Sequence, residues 1–183
     1  MSPSGWEQNA VYLQSGDPEK ENTPTLMEPG LLGSRFTIMN PTGKQAGTVS
    51  RAKRYQLVRT DSTMAVGPYP GAVAYWADKS QYLTTTVNTN LNAVAGVYRC
   101  LVDKGNYCCV QVTGPSMVKT VDAPSVALAV GLPVVGSATV GKADTASGSA
   151  APATTALGRV STPLLRSPAE ALVSVDLDVP ETT

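Results

Sequence analysis

Leu57-Val58-Arg59-Thr60 returns as Met117-Val118-Lys119-Thr120, 60 residues further along the chain, and this echo decides how the sequence is read. The match continues outward. Gly71 answers to Gly131 and Ala74-Tyr75 to Val134-Val135 at the same spacing. The spacing then drifts to 62 at Gly96 and Gly158, and to 63 where Val110-Gln111-Val112 meets Val173-Ser174-Val175. Self-similarity at a fixed period has to be settled before any fold is assigned. Each copy runs through the same order: a basic and apolar strand, a strand entered by glycine, a Thr/Ser-rich stretch, a glycine-centred turn and an alternating strand that closes the unit.

Short stretches rich in Val, Thr and Tyr, separated by Gly, Pro, Asn and Asp at roughly ten-residue intervals, predict an all-β sandwich or barrel. Expected strands cover 34–39, 47–58, 72–76, 82–87, 93–98, 107–112, 117–121, 131–135, 139–143, 156–160 and 171–179. Only Pro168 to Leu172 has a faint helical look, and it is too short to stand alone. The expected organisation is an extended N-terminal arm over residues 1–34, then two related small β-sandwich or barrel modules over 35–115 and 116–183. In the arm, the charged, proline-bearing stretch Gly16 to Pro24 reads as an extended or mobile link. Ahead of it lies an apolar island of Trp6, Val11, Tyr12 and Leu13. That island is either a closing strand or an anchor for a neighbouring molecule.

Composition narrows the function. Only 15% of residues are charged, with 14 basic residues balancing 14 acidic ones. A neutral chain has no electrostatic pull toward nucleic acid or anionic membrane, and low charge favours self-association. No stretch nears the roughly 18 apolar residues of a membrane span, and the N-terminus shows no secretory signal. The three cysteines, Cys100 and the adjacent Cys108-Cys109, make no disulfide framework and read as small buried hydrophobes in a reducing compartment. The basic residues Arg51, Lys53 and Arg54 read as a solvated strand face, or as the partner of an acidic neighbour.

There is no histidine, which removes the commonest general base and most zinc sites. Asp176 and Asp178 share a strand face, as polar residues of an alternating strand do. Gly136 to Lys142 has the glycine and lysine spacing of a phosphate loop, but Ala143 replaces the needed Ser or Thr and no helix follows. The expectation is therefore a protein that is not an enzyme, with no catalytic residue, metal or cofactor. Tyr75 and Trp76 could stack a base or sugar, or fill core or an interface. The second copy has Val135-Gly136 at that place, so the first is expected to pack or make contact through aromatics while the second is a plainer spacer or an outward lobe.

These residues carry a resemblance. Gly71-Ala72-Val73-Ala74-Tyr75-Trp76-Ala77-Asp78, Leu83-Thr84-Thr85-Thr86, Val94-Ala95-Gly96-Val97 and Val110-Gln111-Val112 resemble the capsid cement or decoration proteins of tailed bacteriophages, which include β-tulip-type head stabilisers. The second copy matches more weakly through Gly131, Val134-Val135, Gly141-Lys142-Ala143, Leu157-Gly158-Arg159-Val160 and Val173 to Leu177. The likeness spans residues 55–179, and the family usually carries one such unit where this chain carries two. It implies a structural virion protein on the capsid exterior, assembled in the host cytoplasm. Such a protein bridges and stabilises major capsid protein subunits and pairs with itself as a homotrimer or dimer, with no nucleic acid or membrane partner. Docking residues are then Trp6, Val11, Tyr12, Leu13, Tyr75 and Trp76. Two alternatives stay open at this point: a tail or baseplate β module, and a carbohydrate-binding, adhesin-like module with a platform at Tyr75 and Trp76.

Overall fold

The computed structural model describes residues 13, 17–26, 29–38, 52–88, 93–122, 124–125, 127–146, 156–162 and 172–180. Within them the chain is all-β. Its strands are β1 (Arg35–Ile38), β2 (Lys53–Thr60), β3 (Val73–Asp78), β4 (Leu83–Thr85), β5 (Val94–Tyr98), β6 (Tyr107–Lys119), β7 (Pro133–Gly136), β8 (Ala143–Thr145), β9 (Ala156–Thr162) and β10 (Leu172–Asp178). Among the described residues, no helix is long and apolar enough to cross a membrane. The helical look of Pro168 to Leu172 falls almost wholly outside the described residues.

The first repeat closes on itself. β2 pairs with β4 in parallel, β4 with β3, β3 with β5, β5 with β6, and β6 returns to β2. Closure leaves no free edge within the ring. Alternation supplies the packing: Val58, Ala74, Trp76, Cys108 and Val110 are all buried. The Tyr98 hydroxyl donates to Thr84 Oγ1 at 2.8 Å. Since β3 lies between β4 and β5 in the ring, that bond spans non-adjacent strands.

The second repeat follows the same plan. β6 pairs with β10, β10 with β9, β9 with β7 and β7 with β8. A parallel bridge from Thr120 to Ala143 brings β8 back to the end of β6, as Thr60 and Thr84 do in the first ring. Individual bonds recur. Gly71 N–H donates to Tyr98 O, and Gly131 N–H to Val160 O, both at 2.8 Å. Asp61 N–H donates to Thr84 O at 2.8 Å, and Val121 N–H to Ala143 O at 2.9 Å. The strands facing them carry a bulge at the same place, with Ala95 of β5 extra opposite Ala74 and Tyr75 and Leu157 of β9 extra opposite Val134 and Val135.

Three expectations need correction. The closing strands align at a spacing of 65, since Val110 faces Tyr98 while Val175 faces Val160. The strand expected over 139–143 is mostly turn, with Lys142 N–H donating to Thr139 O, and β8 begins at Ala143. The strands expected over 107–112 and 117–121 are one, the 13-residue β6, which passes through the module boundary expected at residue 115. Its first half belongs to one ring and its second half to the other. Gly114, at φ +89°, lets the strand bend between them, and a Cβ there would lie 2.6 Å from Ala52 O. Gln111 Nε2 holds the bend by donating to Thr113 O and Pro115 O.

The stretch read as an extended or mobile link is docked over residues 17–26. Thr23 exchanges two main-chain bonds with Tyr107, at 3.1 and 2.8 Å. After a 3-10 turn at Pro29–Leu31 the chain enters β1, which pairs with β2. Leu13, Leu26, Leu31, Phe36 and Ile38 pack over Tyr55, Leu57 and Cys109. The rings of Phe36 and Tyr55 stack 5.8 Å apart at 21°. The link's polar look comes from side chains that find partners on the first barrel.

Candidate functional site

Three places bring chemically active side chains together. The first is the seat of the N-terminal segment. Lys53 Nζ donates to Glu19 Oε1 at 2.7 Å and the Tyr55 hydroxyl donates to the same oxygen at 2.6 Å, with Arg99 Nε 3.6 Å away. The basic strand face read from Lys53 thus has its acidic partner in the same chain. Arg51 lies outside the described residues. Burial pushes the Glu19 carboxyl up, but the bonds from Lys53 and Tyr55 and the charges of Arg99 and Lys53 outweigh it and hold the group below the ordinary 4.5. A carboxylate held down in this way adds stability that is present above pH 4.5 and lost as pH falls through its lower folded value. Acidification below that point should release residues 17–26 before the barrels open. Amide exchange at Thr23 and Tyr107 would report it, and protection there that is lost only when the barrels themselves open would refute it.

The second place is the junction between the rings. The turn from β7 to β8 lies against the first barrel. Ser137 N–H donates to the Tyr75 hydroxyl at 3.0 Å, and that hydroxyl donates back to Ser137 O at 3.1 Å. Gly141 N–H donates to Thr86 O and Val73 N–H to Gly141 O. Four amides of the loop with phosphate-loop spacing, those of Ser137, Thr139, Gly141 and Lys142, are therefore occupied by protein. Tyr75 is wholly buried and Trp76 is 8% exposed, its ring edge-on to Tyr82 at 6.3 Å. The docking role expected of Tyr75 and Trp76 gives way to a packing role, since both rings are taken up by the chain's own interior. The alternative of a sugar platform there loses its exposed rings as well. Of the other docking candidates, Leu13 is half-buried against the Tyr55 cluster, and Trp6, Val11 and Tyr12 lie outside the described residues. Sequence reading missed Glu19 and Ser137, whose contacts run through long-range pairing and main-chain atoms.

The third place is an open cleft of about 590 Å³ on the second barrel, lined by Pro133, Ala156, Gly158, Arg159, Asp176, Leu177 and Asp178. It brings one guanidinium close to two carboxylates. Arg159 Nη1 donates to Gly131 O at 2.9 Å.

No family model matches the sequence, and no curated protein matches it. Among solved structures the chain is similar to the N base of the head fibre gp8.5 of bacteriophage phi29. Identity is 16%, the TM-score is 0.42, and the match covers 70% of this chain and 97% of that one.

The thiols carry no reactive signature. Burial pushes the Cys100 thiol up to about 11, helped by the charges of Glu21 and Asp17. Cys108 and Cys109 are raised further by burial. A thiol kept protonated is a weak nucleophile.

Proposed function

We propose that this chain is a structural protein of a phage virion, seated on the outer surface of the head, where it bridges major capsid subunits and stabilises the shell. The observation that carries this reading is β6. One unbroken strand of 13 residues supplies a wall to both rings, so the two barrels are joined through main-chain hydrogen bonds rather than a linker. A body built this way resists shear between its halves, which suits a part that transmits load between neighbours. The residue pattern shared with cement proteins points the same way. Repeating such contacts over a shell adds avidity that no single contact needs to supply.

The test is to add purified protein to expanded capsids stripped of it. Saturable binding and a raised capsid melting temperature are expected. No binding, or binding without a gain in melting temperature, removes the reading. The apolar island upstream of the docked segment is the proposed anchor. Truncating residues 1–12 should weaken capsid binding about tenfold or more, equivalent to roughly 1.4 kcal/mol, while leaving the melting of the free protein unchanged. Equal binding by the truncated chain would remove the arm from the contact.

A further inference from the structure

The two barrels meet head to tail, through different surfaces on each. On the first barrel the covered surface is the wall around Gly71 and Val73. Val73 N–H donates to Gly141 O at 2.9 Å, and Gly71 O accepts from Lys119 N–H at 2.8 Å. A Cβ at Gly71 would sit 3.2 Å from Met117 O. Val73, Val97 and Gln111, neighbours across β3, β5 and β6, are all fully buried.

The second barrel has the same wall at the matching positions. Strand register places Pro133 where Val73 stands, Arg159 where Val97 stands and Asp176 where Gln111 stands. Here it is partly open: Arg159 is exposed, and Pro133 and Asp176 are half-buried. No atom lies within 4 Å of a Cβ built at Gly131, Val130 is 67% exposed, and the wall lines the open cleft. A contact made through unlike surfaces does not satisfy itself. Left open, it invites another copy and can propagate into a fibre.

The residues that differ between the two walls remove that invitation one group at a time. Pro133 has no N–H, so the donor that Val73 gives to the following repeat does not exist. The Gly131 carbonyl, whose counterpart at Gly71 accepts a main-chain N–H from the second repeat, accepts Arg159 Nη1 instead. Arg159 and Asp176 put charge where the first barrel buries valine and glutamine, and desolvating charge opposes contact. The other end of the stack is filled only along β2 and β6, while Ala77, Lys79, Ser80 and Gln81 of the turn from β3 to β4 stay exposed. The counterpart of Lys119 is Arg59, whose N–H already donates to Tyr82 O at 3.0 Å. The counterpart of Leu172 is Tyr107, bridged on both main-chain groups by Thr23.

We propose that the chain is a two-repeat stack closed at one end: Pro133 with Arg159 closes the second barrel against a following repeat, while residues 17–26 and 29–38 cover only part of the opposite end. This device limits assembly in a neutral, low-charge chain, and it directs partners to surfaces other than the stacking wall. It does not depend on the virion reading.

The test restores the first repeat's residues in the full chain, Pro133→Val with Arg159→Val, and follows mass against concentration by light scattering beside the wild type. The variant is expected to climb to at least twice the wild-type mass as concentration rises, through the exposed turn from β3 to β4 of a second copy. Arg159→Val alone should climb less. A double variant that keeps its β circular dichroism and cooperative melt, yet follows the wild-type curve, overturns the proposal. Should the double variant fail to fold, Arg159→Val at its exposed site decides by the same reading. If Arg159→Glu instead breaks apart a wild-type oligomer, the wall is an interface and the proposal also fails.

Discussion

Gly158→Val is expected to open the second barrel and to lower the melting temperature by on the order of 10 °C. Gly158 sits at φ +152°, and a Cβ there would overlap the Asp176 carbonyl oxygen and press on the main chain of Leu177. Those atoms belong to β10, so the neighbour cannot swing aside as a flexible side chain would. The strained backbone costs about 1–3 kcal/mol, and prising β9 from β10 raises the total beyond about 4 kcal/mol. A domain commonly has only about 5–15 kcal/mol of stability. Gly96 repeats the situation in the first barrel, with a Cβ placed 2.7 Å from Gln111 O. Gly96→Val should therefore be damaging as well. Gly131→Ala is the control, because open space surrounds it and only backbone strain remains. Thermal melts of the three variants test this directly. A Gly158→Val protein melting within a few degrees of wild type would mean that β9 and β10 do not approach as described.

The same glycines explain how far the sequence could be followed. The spacing of 62 at Gly96 and Gly158 was legible because a strand that comes this close to its neighbour tolerates no side chain. The closing strand was read two residues out of register because Val173 and Val175 both point inward. A two-residue slip leaves every side chain on its own face, so alternation cannot detect it. β6 looked like two strands because Gly114-Pro115 reads as a break, and nothing local says that a strand can bend there and change partners. The N-terminal link looked mobile because Glu19 finds Lys53 across 34 residues of sequence. Tyr75 and Trp76 left docking, a platform and core packing all open because an aromatic pair has the same composition whether it faces solvent or core. The divergence of Tyr75-Trp76 from Val135-Gly136 was the available signal, and its meaning is complementarity: the second copy has glycine where the first copy's ring must rest.

That contact should make Tyr75 the strongest single link between the barrels. A Cβ at Gly136 would lie 2.7 Å from Cε1 of the Tyr75 ring, so ring and glycine are fitted face to face. Tyr75→Ala removes a fully buried ring and is expected to cost about 3–5 kcal/mol. The second barrel should then exchange its amides ahead of the first. Tyr75→Phe keeps the ring but removes one of the two acceptors of Ser137 N–H, which also donates to Lys142 O at 3.2 Å, at about 0.5–1.5 kcal/mol. The loss of the hydroxyl also depends on pH. Burial raises the Tyr75 phenol well above the ordinary 10, against a lowering hydrogen bond with Ser137. Unfolding frees the phenol to ionise, so above pH 10 the unfolded chain binds fewer protons than the folded one and stability falls as pH rises. Phenylalanine cannot ionise in either state. The deficit of Tyr75→Phe relative to wild type should therefore narrow as pH climbs past 10, while at neutral pH it stays constant. Denaturant titrations at several pH values measure this difference. A deficit that does not change with pH would place the hydroxyl in water, and the two barrels would then meet without it.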